Sequence, residues 1–446
     1  MKNENYDIVI IGSGLGGLTA ATLLTRKGFK TLVVESRSRI GGRFSTFEYE
    51  DFKLPTGAIL IPDGWVIKLL EEMGINTNIL RPITRVFYRI NGKRYDIPPE
   101  IGVPKALDII DQLEREEAKK RGRQTKPVNL SKIMRGYYKK MRGIKQEEVI
   151  TVRDWLLQYT ENEKIHEAFD TLCTGLMMAH SWELPVSKFF FFQEMTKFFI
   201  SPNGNLSIAK ELAKVVEKNG SVWTNSPVRK IIINEGKATG VIIEKDGEQI
   251  EVNCKVVISN TGAKTTVDLA GKENFDDEYL KNMRIKLRPS PCVLALVASD
   301  KPLCLEGIEN GLEIIMGSRR IKTVIPISNI CPELVPSGQH LFYTSAKPES
   351  TLQPMDAKYE IEQLKRDIKD FYPDYEKYGR FIKIRACGII NEWPEGRTWL
   401  GYGMPLETSI SNLFNVGESC IAPGLIGTPG SVESGYRVAD MVEKVL

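Results

Sequence analysis

The run Asp7-Ile8-Val9-Ile10-Ile11 leads straight into Gly12-Ser13-Gly14-Leu15-Gly16-Gly17-Leu18. A short apolar segment that ends in glycines, with a helical pattern beyond it, makes the strand–turn–helix unit that opens a dinucleotide-binding fold. Gly12 allows the tight turn. Gly14 lets the backbone approach a pyrophosphate, and Gly17 lets the helix pack on the strand. The N–H groups at the helix start face phosphate charge, so Ser13, Leu15 and Gly16 join the three motif glycines as expected cofactor contacts. Such a turn is a weak signal alone; its weight depends on the parts that should accompany it.

Those parts follow in order. Ala20, Ala21, Leu23 and Leu24 give the helix a small-residue packing face, and Gly28 ends it. A second buried strand, Thr31-Leu32-Val33-Val34, leads to Glu35, 21 residues after Gly14. That spacing suits a carboxylate on the adenosine ribose hydroxyls, where it would repel a 2′-phosphate and disfavour NADP. The alternative is a solvated strand end. Ser36 follows, and then Gly41-Gly42-Arg43 suits a second pyrophosphate contact: two glycines for close approach and a guanidinium for charge.

Glu35 with Gly41-Gly42-Arg43 six residues later resembles the flavin-dependent amine oxidase and phytoene desaturase superfamily. Leu54-Pro55-Thr56-Gly57-Ala58 resembles the family segment whose glycine passes close to the flavin, so Gly57 and Ala58 become expected contacts. Val228 matches a residue that lies against the adenine through its backbone. At the C-terminus, Gly417-Glu418 and Pro423-Gly424-Leu425-Ile426-Gly427-Thr428-Pro429-Gly430 look like the flavin-binding segment of phytoene desaturases. An acid there accepts from ribityl hydroxyls. The helix beginning near Gly430, Ser431 and Val432 can face the pyrimidine end of a reduced flavin, where negative charge develops. The resemblance implies one bound FAD. Three departures stand out: one glycine (Gly204) in the 203–205 loop where the family has two, Glu418 where it has Asp, and Glu433 where it has small or apolar residues. Glu433 is either a structural acid or a charge near the flavin.

At 446 residues the chain is too long for one compact core. The expected architecture is α/β: a discontinuous Rossmann-like FAD-binding domain (1–64, 200–270 and 386–446) with an inserted α+β substrate domain (65–199 and 271–385). The absence of a second glycine-rich turn after Ser259-Asn260-Thr261-Gly262 argues against a dedicated nicotinamide domain. No apolar run reaches the length of a membrane span. The N-terminus leaves no room for a signal peptide before the first strand. Seven scattered cysteines without a Cys-x-x-Cys pair fit a reducing cytosol, and three histidines without helical spacing make a His-based metal site improbable.

Within the insert, Asn91-Gly92 marks a hairpin between Arg85–Ile90 and Lys93–Ile97. A long helical region extends from there to about Phe199. From Ala118 to Gln146 there are eleven Lys or Arg residues and no acid. Ile133, Met134, Tyr137, Tyr138 and Met141 interleave with Lys132, Arg135, Lys139, Lys140 and Arg142 as a basic amphipathic helix. Three readings stand: a core-packed helix with a solvated cationic face, docking on an anionic membrane, or a site for a phosphate-bearing substrate such as a coenzyme A ester or prenyl diphosphate. No nucleic-acid motif accompanies the charge. Phe189-Phe190-Phe191-Phe192 and Phe198-Phe199 are either core or, on a lid helix, the lining of an apolar tunnel. Leu206 to Lys218 reads as a helix. Beyond it, Val228–Ile233, Gly240–Ile243 and Val252–Ile258 read as a three-strand meander.

The expected activity is that of an FAD-dependent oxidoreductase with hydride transfer at flavin N5. The resemblance implies that it forms or saturates a carbon–carbon double bond in an apolar, isoprenoid- or lipid-like substrate, one that carries a phosphate or CoA group in one reading. The alternatives are a flavin amine oxidase, with Trp399 and Tyr402 as candidate aromatics, and a flavin-free prenyl-binding carrier of the same fold. No catalytic residue is assigned. Tyr402 and His180 stand out only because they exchange protons. The electron partner, the direction of the reaction and the oligomeric state are open. The expected location is cytoplasmic, with peripheral membrane association as the second reading.

Overall fold

The computed structural model describes residues 3–99, 102–122, 129, 132–134, 136–137, 150–194, 197–287, 291–351, 353–387, 403–422 and 425–446. At its centre is a five-stranded parallel sheet in the order Gly220–Trp223, Thr31–Val34, Ile8–Ile11, Val256–Ser259, Leu413–Asn415. Ile8 pairs with Thr31 on one side and with Val256 on the other, and Ser259 pairs with both Ile11 and Asn415. Ile8–Ile11, Thr31–Val34 and Val256–Ser259 are buried along their whole length. That explains why they read as unbroken apolar runs: both faces are covered, by helix residues such as Ala20, Ala21, Leu24 and Val438 and by Ile231, Val241, Ile243 and Val252 of a neighbouring antiparallel sheet, all in one buried cluster. Each fully buried Val or Ile contributes roughly 2 kcal/mol of transfer free energy.

This register brings five strand ends to one edge, so residues from four distant parts of the sequence converge there. The helix Leu15–Arg26 leaves that edge and packs between two others, Asn205–Val216 and the C-terminal helix Gly427–Val445. Leu15 and Leu18 meet Ile208, Ala209, Leu212 and Val432 in one buried cluster. On the other side, Gly435 allows close approach: a Cβ there would stand 2.6 Å from Thr19 Cβ and 2.9 Å from the Gly16 carbonyl oxygen.

The second large element is a seven-stranded sheet in the order Gly379–Cys387, Cys292–Ser299, His340–Ala346, Ile321–Pro326, Gly311–Ile315, Arg85–Ile90, Lys93–Ile97. Its two faces are apolar for the reason that strand side chains alternate. Leu296 and Ala298 face a cluster with Phe169, Leu172 and Phe190, whereas Ala295 and Val297 face Leu364 and Ile368 of the helix Ala357–Phe371. Asn91 (φ +49°) and Gly92 (φ +77°) form the hairpin turn with both residues left-handed, as the Asn-Gly pair predicts. Inside the sheet, the fully buried Glu313 accepts from Arg89 Nε and Arg94 Nε, both at 2.9 Å, and from the Tyr372 hydroxyl at 2.7 Å. Burial pushes this carboxyl up, but the Arg89 hydrogen bond and charge, with Arg94 and Tyr372, outweigh it and hold it below the ordinary range.

Two expectations about elements need correction, and one helix has no sequence signal. The meander strands are Val228–Asn234, Lys237–Lys245 and Glu248–Asn253; Val256–Ser259 is a separate strand of the parallel core. The chain passes from one sheet to the other at Cys254-Lys255, inside what reads as one strand. Phe198 and Phe199 lie not on a helix but on a short strand, Phe198–Ile200, paired with both Ile61–Pro62 and Arg81–Ile83. A helix at Asp277–Lys286, capped by Asp276 Oδ1 accepting from Tyr279 N at 2.7 Å, escapes the pattern because it buries only Tyr279 and Leu280.

Candidate functional site

The edge where the parallel strands end carries the residues singled out by the glycine turn. Gly12 adopts φ +93° and donates its N–H to Val34 O at 2.7 Å, which swings the chain off the first strand. Gly14 is the N-cap of Leu15–Arg26 and supplies no side-chain cap. The first N–H groups of that helix thus keep no intrahelical acceptor and face outward with the positive end of the helix dipole.

Ser13 ties this turn to two other segments. Its N–H and hydroxyl both donate to Glu35 Oε2, at 3.1 and 2.6 Å. Its carbonyl accepts from Gly41 N at 3.0 Å. The other Glu35 oxygen accepts from Arg37 N at 3.0 Å and from the Ser36 hydroxyl at 3.3 Å. Glu35 is 7% exposed. It is therefore a carboxylate oriented from both sides at a strand end, not a solvated one. The loop before Val228 runs beside it, with Ser226 N donating to Glu35 O at 2.9 Å.

Gly41 (φ +92°) and Gly42 (φ +57°) are both left-handed, and a Cβ on Gly42 would point at Gly14 Cα from 3.5 Å. The two glycine pairs face one another without side chains between them. Arg43 reaches across the site to Glu418, with Nη1 donating to Oε2 at 2.6 Å. Gly57 and Ala58 pack on the Arg43 backbone, Ala58 N donating to Arg43 O at 3.0 Å. Gly204 (φ +73°) sits against Thr46, leaving no room for a side chain.

From the C-terminal side, Gly417 (φ +101°) donates its N–H to the Ser434 hydroxyl at 2.9 Å. Ser431 O comes near Gly16, where a Cβ would stand 3.0 Å from it. A Cβ on Gly430 would collide with Ile421. The side chains of Leu15 and Val432 point into the helix cluster, so these two residues can offer a ligand only backbone. Glu433 is buried in the first turn of the last helix, paired through Oε1 with Arg437 Nε at 2.7 Å, while its Oε2 has no hydrogen-bond partner among the described residues. Burial pushes its carboxyl above the ordinary glutamate value, against the opposing pull of Arg437.

The arrangement fits a dinucleotide: an oriented carboxylate at the second strand end, uncapped helix N–H groups, facing glycines and an arginine between them. Asn260, which sequence reasoning passed over, lies at the centre of this edge.

Among the other candidates, His180 has both ring nitrogens engaged, Nδ1 with Asp170 Oδ2 at 3.0 Å and Nε2 with Pro348 O at 2.7 Å, and stacks on Trp182. That is a structural setting. Trp399 and Tyr402 lie outside the described residues, as do Lys139, Lys140 and Arg142. Met134 and Tyr137 of the basic stretch are buried, Tyr137 packing on Trp155 and Phe190. Phe189 and Phe190 are fully buried core residues. Among the described residues, no group of His, Cys, Asp and Glu could hold a metal ion, and no helix is long and apolar enough to cross a membrane.

Comparison with known proteins agrees with this geometry. A family model described as flavin containing amine oxidoreductase matches residues 15–442. An uncharacterized protein of Methanocaldococcus jannaschii is 25% identical over 453 residues, covering 98% of this chain and 100% of that protein. Chloroplastic prolycopene isomerase of Daucus carota is 25% identical over 516 residues, covering 98% of this chain and 80% of the isomerase. The crystal structure of an oxidoreductase from Methanosarcina mazei shares the fold, with a TM-score of 0.79 at 24% identity over 97% of this chain and all of that one.

Proposed function

The chain belongs to the flavin-containing amine oxidoreductase family, whose cofactor is FAD, and from that premise we propose that it forms, saturates or isomerises a carbon–carbon double bond in an apolar, isoprenoid- or lipid-like substrate. The observation that carries this reading is the extent of the likeness to prolycopene isomerase. It runs through nearly the whole chain, including the part between the flavin motifs that would meet the substrate.

Bound FAD supplies hydride exchange with a substrate carbon at its N5 atom. The protein's part is to hold and orient. Glu35 would take the ribose hydroxyls, already aligned by Ser13 and Arg37 N. The outward N–H groups at the start of Leu15–Arg26 and the Arg43 guanidinium would take the pyrophosphate. Glu418 would accept from the ribityl chain, and the start of Gly427–Val445 would face the pyrimidine end of the ring. Forming or saturating the double bond moves a hydride and a proton; the hydride exchanges with the flavin, and no side chain is assigned to the proton.

The family description favours a second reading, oxidation of an amine. The two separate in one anaerobic experiment on FAD-loaded protein. Dithionite-reduced enzyme with a cis-polyene should yield a shifted isomer, or a product that gains two hydrogens as the flavin is reoxidised, and an aliphatic amine should leave the oxidised enzyme unbleached. Rapid bleaching by the amine, with the polyene unchanged, would overturn the proposal. In the membrane-docking reading, the basic stretch at 118–146 would bring the enzyme to an anionic surface where such a substrate dissolves. In the other, it would bind a phosphate on the substrate itself.

A further inference from the structure

Asn260 is the first residue after Val256–Ser259, the strand that lies between Ile8–Ile11 and Leu413–Asn415. Its backbone N–H donates to Ile11 O at 2.8 Å. Its side-chain amide, oriented by its partners, accepts from Gly14 N at 3.1 Å and donates to Val416 O at 3.2 Å. One amide thus joins the first glycine turn to the C-terminal segment.

The surrounding glycines fit around this side chain. A Cβ on Gly14 would come within 2.3 Å of one terminal atom of the Asn260 amide, and a Cβ on Gly417 within 2.5 Å of the other. A Cβ on Gly17 would meet Asn260 Cβ at 3.1 Å as well as the Gly12 carbonyl oxygen at 2.4 Å. Gly417 also has φ +101°, whereas Gly14 has φ −62°, a value any residue adopts. At Gly14, backbone conformation does not demand glycine. The nearest obstacle is the Asn260 amide.

We propose that Asn260 is the positioning residue of the FAD cradle: it clamps Gly14 against Val416-Gly417, and its side chain is what excludes a Cβ at position 14. Because it takes the Gly14 N–H, the groups left to the pyrophosphate are those of Leu15, Gly16 and Gly17, the first donors of the helix. The inference rests on the cofactor and is independent of the substrate class.

The test is a cycle of Gly14→Ala, Asn260→Gly and the double variant, read by FAD titration through flavin fluorescence and by apoprotein melting. In the native background, Gly14→Ala should weaken FAD binding about tenfold or more; in the Asn260→Gly background the same change should cost less than about threefold, a coupling expected only of groups in contact. Equal factors in both backgrounds would overturn the proposal and place the glycine requirement on the phosphate. Should Asn260→Gly fold poorly, Asn260→Asp serves. It keeps the acceptor for Gly14 N but sets an oxygen against Val416 O, so it should weaken FAD binding about tenfold while the apoprotein melts within a few degrees of wild type. Wild-type affinity in Asn260→Asp would equally overturn the clamp. A wild-type protein that binds no FAD would instead overturn the cofactor assignment, so the two failures are distinct.

Discussion

Arg43 and Glu418 lie 375 residues apart in the chain and meet at 2.6 Å, Nη1 to Oε2. The pair is asymmetric: the carboxylate side chain is 7% exposed and the guanidinium side chain 40%. An exposed ion pair contributes little, but a buried carboxylate that loses its cation keeps its desolvation cost. Arg43→Met should therefore weaken FAD binding about tenfold and lower apoprotein stability by about 1–2 kcal/mol. Glu418→Gln should cost less, since it removes the charge that needs the partner. FAD titration and urea unfolding check both. Equal losses for the two variants would show that the pair does not act through the buried acid.

Ser13 makes a narrower prediction. Its hydroxyl is one of two Ser13 donors on Glu35 Oε2. Ser13→Ala removes that donor while leaving the backbone N–H, at a cost of about 1–2 kcal/mol for a buried hydrogen bond to a carboxyl oxygen. Glu35→Gln should do more, because an amide NH2 would be set against the N–H groups of Ser13 or Arg37. It should lower FAD affinity by about tenfold or more. Retained affinity in Glu35→Gln would return Glu35 to a purely structural role.

How far the site was visible in the sequence follows from how local its chemistry is. Gly12, Glu35, Gly41 and Arg43 could be read because each has a role set by a turn or a strand end a few residues away. The clamp could not. Asn260 follows a strand in an unremarkable Ser-Asn-Thr-Gly, and its meaning depends on Val256–Ser259 lying between Ile8–Ile11 and Leu413–Asn415, an order that spacing does not encode. The same holds for Phe198 and Phe199. An aromatic stretch reads equally as helix or strand until its partners, Ile61–Pro62 and Arg81–Ile83, are known.

Glu433 carries a pH dependence. Its folded value is raised by burial, so its protonated form is favoured in the native state. A raised carboxyl contributes stability that is complete below the ordinary glutamate value and is lost as pH rises through the folded value. Glu433→Gln lacks that loss. Relative to wild type, the variant should become progressively more stable as pH rises above the ordinary glutamate value and level off once the folded carboxyl has ionised, measured by urea unfolding of the apoprotein. A stability difference that stays flat with pH would mean that Arg437 compensates the charge in full.

The basic stretch is tested by charge removal. Changing Lys139, Lys140 and Arg142 to Gln removes three cations, each worth roughly 1 kcal/mol near an anionic surface. Binding to vesicles of mixed neutral and anionic lipid should fall by tenfold or more, and the wild type should lose the same affinity as salt shortens the Debye length. If vesicle binding is unchanged at low salt while affinity for a phosphate-bearing substrate falls, the charge serves the substrate. If neither changes, it is a solvated face.

Gly16 shows how the two ends of the chain share one surface. A Cβ there would lie 3.0 Å from three backbone atoms, Gly417 N, Gly417 Cα and Ser431 O. Backbone atoms held by a sheet end and a helix start cannot swing aside as a flexible side chain can. Gly16→Ala should thus weaken FAD retention several-fold, and Gly16→Val should abolish it, because the added methyls wedge Leu15–Arg26 away from the segment that carries Glu418. Gly28→Ala is the control. Gly28 has φ +96° and nothing within 4 Å of an added Cβ, so alanine there strains only the backbone. It should cost about 1 kcal/mol of stability and leave FAD affinity unchanged. If Gly28→Ala and Gly16→Val lose FAD to the same extent, cofactor loss merely tracks stability. If only Gly16→Val loses it, the contact between the first helix and the C-terminal segment is part of the binding site.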